Sequence, residues 1–153
     1  MKYPYFHPEP GAPSPLRTIV EREVRFEEVD VMGIVWHGRY PSFFEDARVA
    51  LGERVGLGYM DYYRAGVLTP IKKMHLDYKK PLRFRDAFTI EAVMHWTQAA
   101  RINMSFAIRD ASGQISTTGY TVQLMLDLNG TVMLMQPPCQ AELYARWARG
   151  EIS

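Results

Sequence analysis

The sequence predicts an α+β domain in which an antiparallel sheet packs on one long buried helix. Three observations predict it. Apolar residues recur at three- and four-residue steps through residues 40–55, the one long helix of the chain. Strand-like segments gather after it, separated by short turn signals, which favours antiparallel neighbours. With 153 residues and 47% hydrophobic content, the chain suits one compact core and leaves little room for a second.

Taken in order, the first element is an arm. Five of the ten prolines fall in the first fifteen residues, so residues 1–17 read as extended chain rather than helix. Tyr3, Tyr5 and Phe6 are candidate anchors on a neighbouring surface, and a partly ordered tail is the plainer expectation. Residues 18–29 set Val20, Val24 and Phe26 among charges and read as a strand ending near Glu28. Residues 30–39 carry Gly33 and Gly38 and read as a loop. The helix follows, with Tyr40, Phe43, Phe44, Ala47, Leu51 and Val55 on one face and Pro41 in the first turn, where a missing amide hydrogen leaves no gap. Gly56 and Gly58 mark its end.

Residues 58–66 form a tyrosine-rich connection with room for a helical turn. Strands are expected over 67–78, 87–96, 101–109 and 115–128. Asn129-Gly130 signals a hairpin, which predicts a short return strand over 131–135. Pro137-Pro138 ends it, and residues 141–149 suit a short helix. The expected organisation is an arm over 1–17, one domain over 18–136 and a C-terminal extension over 137–153.

Composition excludes several classes. Eighteen basic against seventeen acidic residues, a formal net charge of +1, argue against a nucleic-acid binder. One cysteine, Cys139, cannot form an intramolecular disulfide and fits a reducing compartment. No apolar run is long enough to span a bilayer, and the first residues lack the apolar core of a secretory signal, so a cytoplasmic location is expected. There is no phosphate-binding glycine loop, no HExxH, no Cys-x-x-Cys and no GxSxG elbow. The histidines His7, His37, His75 and His95 are scattered, so no metal site is expected.

What remains is residues 24–48, which put a carboxylate, Asp30, in a glycine-containing loop between a strand and a buried helix. Amides at a helix start have no partner within the helix and sit at the positive end of its dipole. A carbonyl oxygen held there would be polarised, while a carboxylate beside it could attack the carbonyl carbon or activate water. By spacing alone, a helix cap or a solvated turn residue is the more ordinary reading of Asp30.

The ordered residues Asp30, Gly33, Ile34, Val35, Trp36, His37, Tyr40, Phe44, Glu45, Ala47 and Arg48 carry more than spacing does. Together they resemble the signature of the hot-dog-fold acyl-CoA thioesterases of the 4-hydroxybenzoyl-CoA thioesterase type, including the Tol–Pal-associated branch. The resemblance runs through residues 74–86 and 120–130 and covers roughly 22–135. It implies a hot-dog fold, an antiparallel sheet wrapped around one central helix. It also implies Asp30 as the catalytic nucleophile or general base, an amide near His37 polarising the thioester carbonyl, and the His37 side chain in the site. Gly33, Val35, Trp36, Gly38, Tyr40 and Glu45 are the implied substrate-binding positions. The substrate class so implied is acyl-CoA, with water as cosubstrate and no metal or organic cofactor. The assembly is a homodimer or homotetramer with sites between subunits.

The chain departs from that pattern at Phe26 and Val29, where many members of the branch carry Tyr and Thr, and at Val31 and Met32, bulkier than the usual pair. A non-catalytic acyl-thioester binder is therefore an alternative. A hot-dog hydratase fits less well, because His37 lies seven residues after Asp30 rather than in the compact hydratase motif. Glu45 is a rival carboxylate, although three residues before Arg48 it suits an ion pair. Lys72, Lys73, Lys79, Lys80, Arg83 and Arg85 concentrate positive charge that could meet coenzyme A phosphates or simply face solvent. Met94, Trp96, Met104, Phe106 and Met125 are expected in the core, some of them as walls of an acyl pocket.

Overall fold

The structure, a computed structural model, describes residues 4–153. Its strands are β1 (Leu16–Glu23), β2 (Ile71–Tyr78), β3 (Ala87–His95), β4 (Arg101–Asp110) and β5 (Ile115–Leu124). They form one antiparallel sheet in the order β1-β3-β4-β5-β2. The helices are α1 (Tyr40–Val55), α2 (Tyr59–Arg64) and α3 (Pro138–Ala148). This is the α+β arrangement predicted from the sequence, with α1 as the central helix.

The stripe on α1 explains why that helix holds the sheet. Tyr40, Phe43, Phe44, Ala47 and Leu51 are buried, and Val55 packs at the margin of the same cluster. Phe44 stacks on Phe106 of β4 with ring centroids 4.4 Å apart, and Phe43 meets Phe88 of β3. On β4 the alternate residues Ile102, Met104, Phe106 and Ile108 are buried, the period-two signature of one core-facing side. Each such fully buried side chain contributes roughly 1.5–3 kcal/mol. Phe44 packs so closely on β5 that a Cβ at Gly119 would stand 2.6 Å from its ring and also meet the His75 carbonyl of β2. Gly119→Ala is expected to cost about 1–3 kcal/mol by overpacking, read as a lowered melting temperature.

Several boundaries differ from the sequence reading. β1 ends at Glu23, not near Glu28, because Val24 donates its N–H to Asp86 and the chain turns into a 3₁₀ helix at Phe26–Glu28. The 67–78 strand begins at Ile71, with Leu68 joined to Leu126 by an isolated bridge. The 115–128 strand stops at Leu124. The return strand over 131–135 reduces to a single bridge, Leu126 to Val132, because the Asp127 carboxylate accepts the Asn129 and Thr131 amides and closes a compact loop. β2 does not lie beside β3. It pairs with β5 at the far edge, and the 79–86 connection crosses from that edge to the interior strand β3, with Leu82 buried beneath the loop before α1.

The outer face of the sheet is covered by the proline-rich arm. Tyr5 stacks on Tyr120 at 3.9 Å, Phe6 lies against His95, and Glu9 accepts the Gln98 amide. Tyr3 lies outside the described residues. α3 closes one end of the core, with Leu143, Tyr144 and Trp147 buried in it and the Trp147 indole donating to the Ser14 carbonyl at 2.9 Å.

Beneath the arm, His95 shares a 2.8 Å hydrogen bond with Ser105. Burial, with a smaller contribution from the Arg17 charge, pulls its imidazole down to about 4. The unfolded chain, with an ordinary imidazole, takes up a proton as pH falls below about 6.5, whereas the folded chain does not until about 4. The stabilisation is therefore full above that window and lost through it, on the order of 2–3 kcal/mol. Thermal melts between pH 7 and pH 4 are expected to show this loss, and His95→Asn should flatten the slope.

Candidate active site

Three backbone contacts make the loop before α1 a hairpin. Val29 bridges Val35, Asp30 donates its N–H to the Ile34 carbonyl, and Gly33 donates back to the Asp30 carbonyl at 2.9 Å. Gly33 has φ +74, a left-handed backbone that a side chain would strain. The Asp30 carboxylate accepts the Met32 amide through Oδ1 at 2.8 Å, an Asx turn that orients it. Half-buried, Asp30 is flanked by the exposed Val31 and Met32. Phe26 is exposed and packs edge-on against Phe84, so the departure that removes a hydroxyl there lies on the surface.

The far side of the hairpin leads directly into the helix. Val35 is buried and donates to the Leu82 carbonyl, and Trp36 donates to the Glu28 carbonyl at 2.9 Å. A 3₁₀ turn, His37–Arg39, then runs without a break into α1. The amides of His37 and Gly38 open this turn and, like the first amides of any helix, have no intrahelical acceptor. The His37 carbonyl accepts the Tyr78 hydroxyl at 2.7 Å, which holds the turn against β2. The His37 ring itself is exposed, beside Trp36. Gly38 lies under the Trp36 indole, so no side chain fits there without moving the ring. Tyr40 is buried between Phe43 and Tyr78, and burial raises its phenol above the usual value.

Asp30 and the helix-start amides therefore belong to one short, fastened loop. What fastens it is a pair that local sequence patterning did not single out. Glu28, 4% exposed, pairs with Arg22 of β1 at 3.1 Å and accepts the Arg25 amide at 2.8 Å. Arg22 also reaches Asp46 on α1 at 3.1 Å, and its guanidinium lies over the Phe43 ring. Strand, loop and helix are thus tied through the Arg22 guanidinium, whose partner Glu28 lies two residues before Asp30. The only signal was a charged residue, Arg22, in phase with Leu16, Thr18 and Val20 on the inward side of β1, and its pairing with Glu28 is a tertiary event.

Glu45 stands apart from that loop, further along α1. Its two oxygens accept Arg48 at 3.1 Å and the Tyr59 hydroxyl at 2.9 Å. Burial pushes the Tyr59 phenol up to about 12, so it stays protonated as the donor. Arg48 is 6% exposed and also donates to Gln123, to Thr121 and towards the Met104 sulfur. The helix stripe predicted no buried charge here. Beside this network lies a cavity of about 350 Å³ bounded by α1, α2 and the inner face of the sheet.

The basic stretch is partly neutralised. Lys80 pairs with Asp110 at 2.6 Å, Arg85 with Glu23 and Lys79 with Asp77. Burial pushes the Cys139 thiol up, which disfavours a thiolate nucleophile. Among the described residues, no three His, Cys, Asp or Glu side chains gather as a metal-holding group.

Comparison with known proteins agrees with this architecture. The sequence matches the thioesterase-like superfamily over residues 24–144. YneP of Bacillus subtilis, named as a candidate acyl-CoA thioesterase, is 30% identical over 107 residues, covering 70% of this chain and 78% of its own. A DHNA-CoA thioesterase from Staphylococcus aureus superposes with a TM-score of 0.77 at 25% identity, covering 90% of this chain and 97% of that one. A second S. aureus protein, solved in complex with CoA, shares the fold with a TM-score of 0.76 at 14% identity, covering 89% and 86%. The match spans the fastened loop, the central helix and all four strands that follow it. The chain belongs to the thioesterase-like superfamily.

Proposed function

We propose that this chain hydrolyses an acyl-CoA thioester to a carboxylic acid and free coenzyme A. The observation that carries the reading is the placement of the Asp30 carboxylate in the same fastened hairpin that delivers the His37 and Gly38 amides. Family membership and the names of the relatives, which include acyl-CoA and DHNA-CoA thioesterases, support it.

The thioester carbonyl oxygen docks on the helix-start amides, which stabilise negative charge as the carbonyl carbon becomes tetrahedral. Asp30 acts in one of two ways. As nucleophile it forms an acyl-aspartyl anhydride, expelling the coenzyme A thiolate, and water then hydrolyses the anhydride. As general base it takes a proton from the water that attacks. Either route uses water as cosubstrate and calls on no metal or organic cofactor. Gly33, Val35, Trp36, Gly38 and Tyr40 shape the docking surface, and His37 borders it.

A second copy completes the site in this reading. β2 is an edge strand with its outer hydrogen-bonding side unpaired by the other described strands, and Val31, Met32 and Trp36 expose apolar surface nearby. We expect a homodimer or homotetramer in the cytoplasm. Light scattering should give at least twice the 17.6 kDa chain mass, and a stable, active monomer would overturn this. The activity itself is tested by thiol release from a panel of acyl-CoA substrates. Turnover separates the enzyme from a non-catalytic acyl-thioester binder, which would bind the panel and release no thiol.

A further inference from the structure

We propose that the cavity beside the second half of α1 receives the hydrocarbon part of a straight-chain aliphatic acyl thioester, and that Leu143 of α3 forms part of its closing wall. The inference rests on the thioesterase reading and names its substrate class.

The cavity's volume, about 350 Å³, lies in the range of small-molecule sites. Its α1 wall includes Arg48, Val49 and Gly52, at the steps that continue the helix face carrying Glu45. Arg48 lies eight residues beyond Tyr40, about 12 Å along the axis at 1.5 Å per residue. To enter the cavity, the acyl group of a thioester held at the helix-start amides would run along that helix face past Glu45. An acetyl group is too short to follow it.

The chemistry of the wall selects hydrocarbon. Met94 of β3, Ile102 and Met104 of β4 and Leu143 of α3 are all apolar and buried. Methionine side chains adapt their shape to a flexible chain. Three polar side chains of the lining, Arg48, Gln123 and Tyr59, are committed to one network, and the lining also carries Glu53, Asp61, Arg64 and the Tyr62 phenol. Arg48 donates to Glu45, Gln123 and Thr121, Gln123 donates to the Thr69 carbonyl, and Tyr59 donates to Glu45. A ring hydroxyl or carboxylate on the acyl group would lose its hydration without gaining a partner from that network, whereas methylene groups lose nothing.

The test is kcat/KM by thiol release with acetyl-, hexanoyl-, decanoyl-, hexadecanoyl- and benzoyl-CoA, for the wild type, Ile102→Phe and Leu143→Ala. The wild type is expected to favour hexanoyl- or decanoyl-CoA over acetyl- and benzoyl-CoA by about ten-fold or more. Ile102→Phe should lower the decanoyl-to-acetyl ratio by a similar factor, and Leu143→Ala should move the optimum towards hexadecanoyl-CoA. If Ile102→Phe fails to fold by circular dichroism, Leu143→Ala decides alone. A wild type that prefers benzoyl-CoA, or chain-length ratios unmoved in the folded variants, overturns the cavity assignment. If the wild type hydrolyses none of the five, the thioesterase reading falls and calorimetry judges the cavity separately. Decanoyl-CoA binding more tightly than coenzyme A then keeps the assignment, and equal binding overturns it.

Discussion

Asp30→Asn is expected to lower kcat by at least about 10²–10⁴-fold, the range a positioned general base contributes. The substitution is clean for a structural reason. The Asx turn uses Asp30 Oδ1 as acceptor of the Met32 amide, and an asparagine carbonyl oxygen can accept the same bond. The hairpin and the amides of His37 and Gly38 should keep their places, so KM should change little while the reactive carboxylate is lost. Asp30→Ala would remove the turn as well and mix two effects. Glu45→Gln is the comparison. Its carboxylate is already engaged by Arg48 and Tyr59, so its loss of turnover should be the smaller of the two. Steady-state kinetics on both variants, after confirming fold and assembly, decide the matter. Near-normal turnover in Asp30→Asn together with loss in Glu45→Gln would move the reactive carboxylate onto α1.

The largest stability effect is expected at Arg22. Arg22→Met leaves the Glu28 carboxylate 4% exposed with no countercharge at its 3.1 Å contact. Breaking a buried pair from one side costs about 3–5 kcal/mol, because the remaining charge keeps only the Arg25 amide and no countercharge. At about 2–4 °C per kcal/mol for a chain of this size, the melting temperature should fall by roughly 6–20 °C. Glu28→Gln in the same chain removes the stranded charge, so the double variant should recover part of the loss. Turnover offers a second readout. Glu28 accepts the Arg25 amide, and its carbonyl accepts Trp36, so a displaced Glu28 loosens the hairpin carrying Asp30. A fall in kcat that the double variant does not restore, despite recovered stability, assigns the pair a positioning role in addition to its structural one. A melting temperature unchanged in Arg22→Met would mean that the pair holds nothing in place.

The sequence by itself determined the elements whose cause is local. Period and turn chemistry sufficed for α1 from Tyr40 to its stop at Gly56, and for β3 and β4 within one residue at their C-terminal ends. The central helix and antiparallel sheet followed from their order. The position of Asp30 in a loop ahead of α1 was legible because a carboxylate, a glycine turn and a helix start are consecutive in the chain. Only the tertiary structure decided the rest. Strand order required knowing that the 79–86 connection crosses the domain, and no local pattern encodes which edge β2 takes. Arg22–Glu28 and Arg48–Gln123 bury charged or polar groups through partners six and seventy-five residues away, which no local period identifies. The cavity and its Leu143 wall are likewise legible only in three dimensions, because they join α1, the inner sheet face and a helix at the far end of the chain. The physical reason is common to all of these. Backbone conformation is set largely by neighbours in sequence, whereas desolvation and packing are set by whatever residues folding brings together in space.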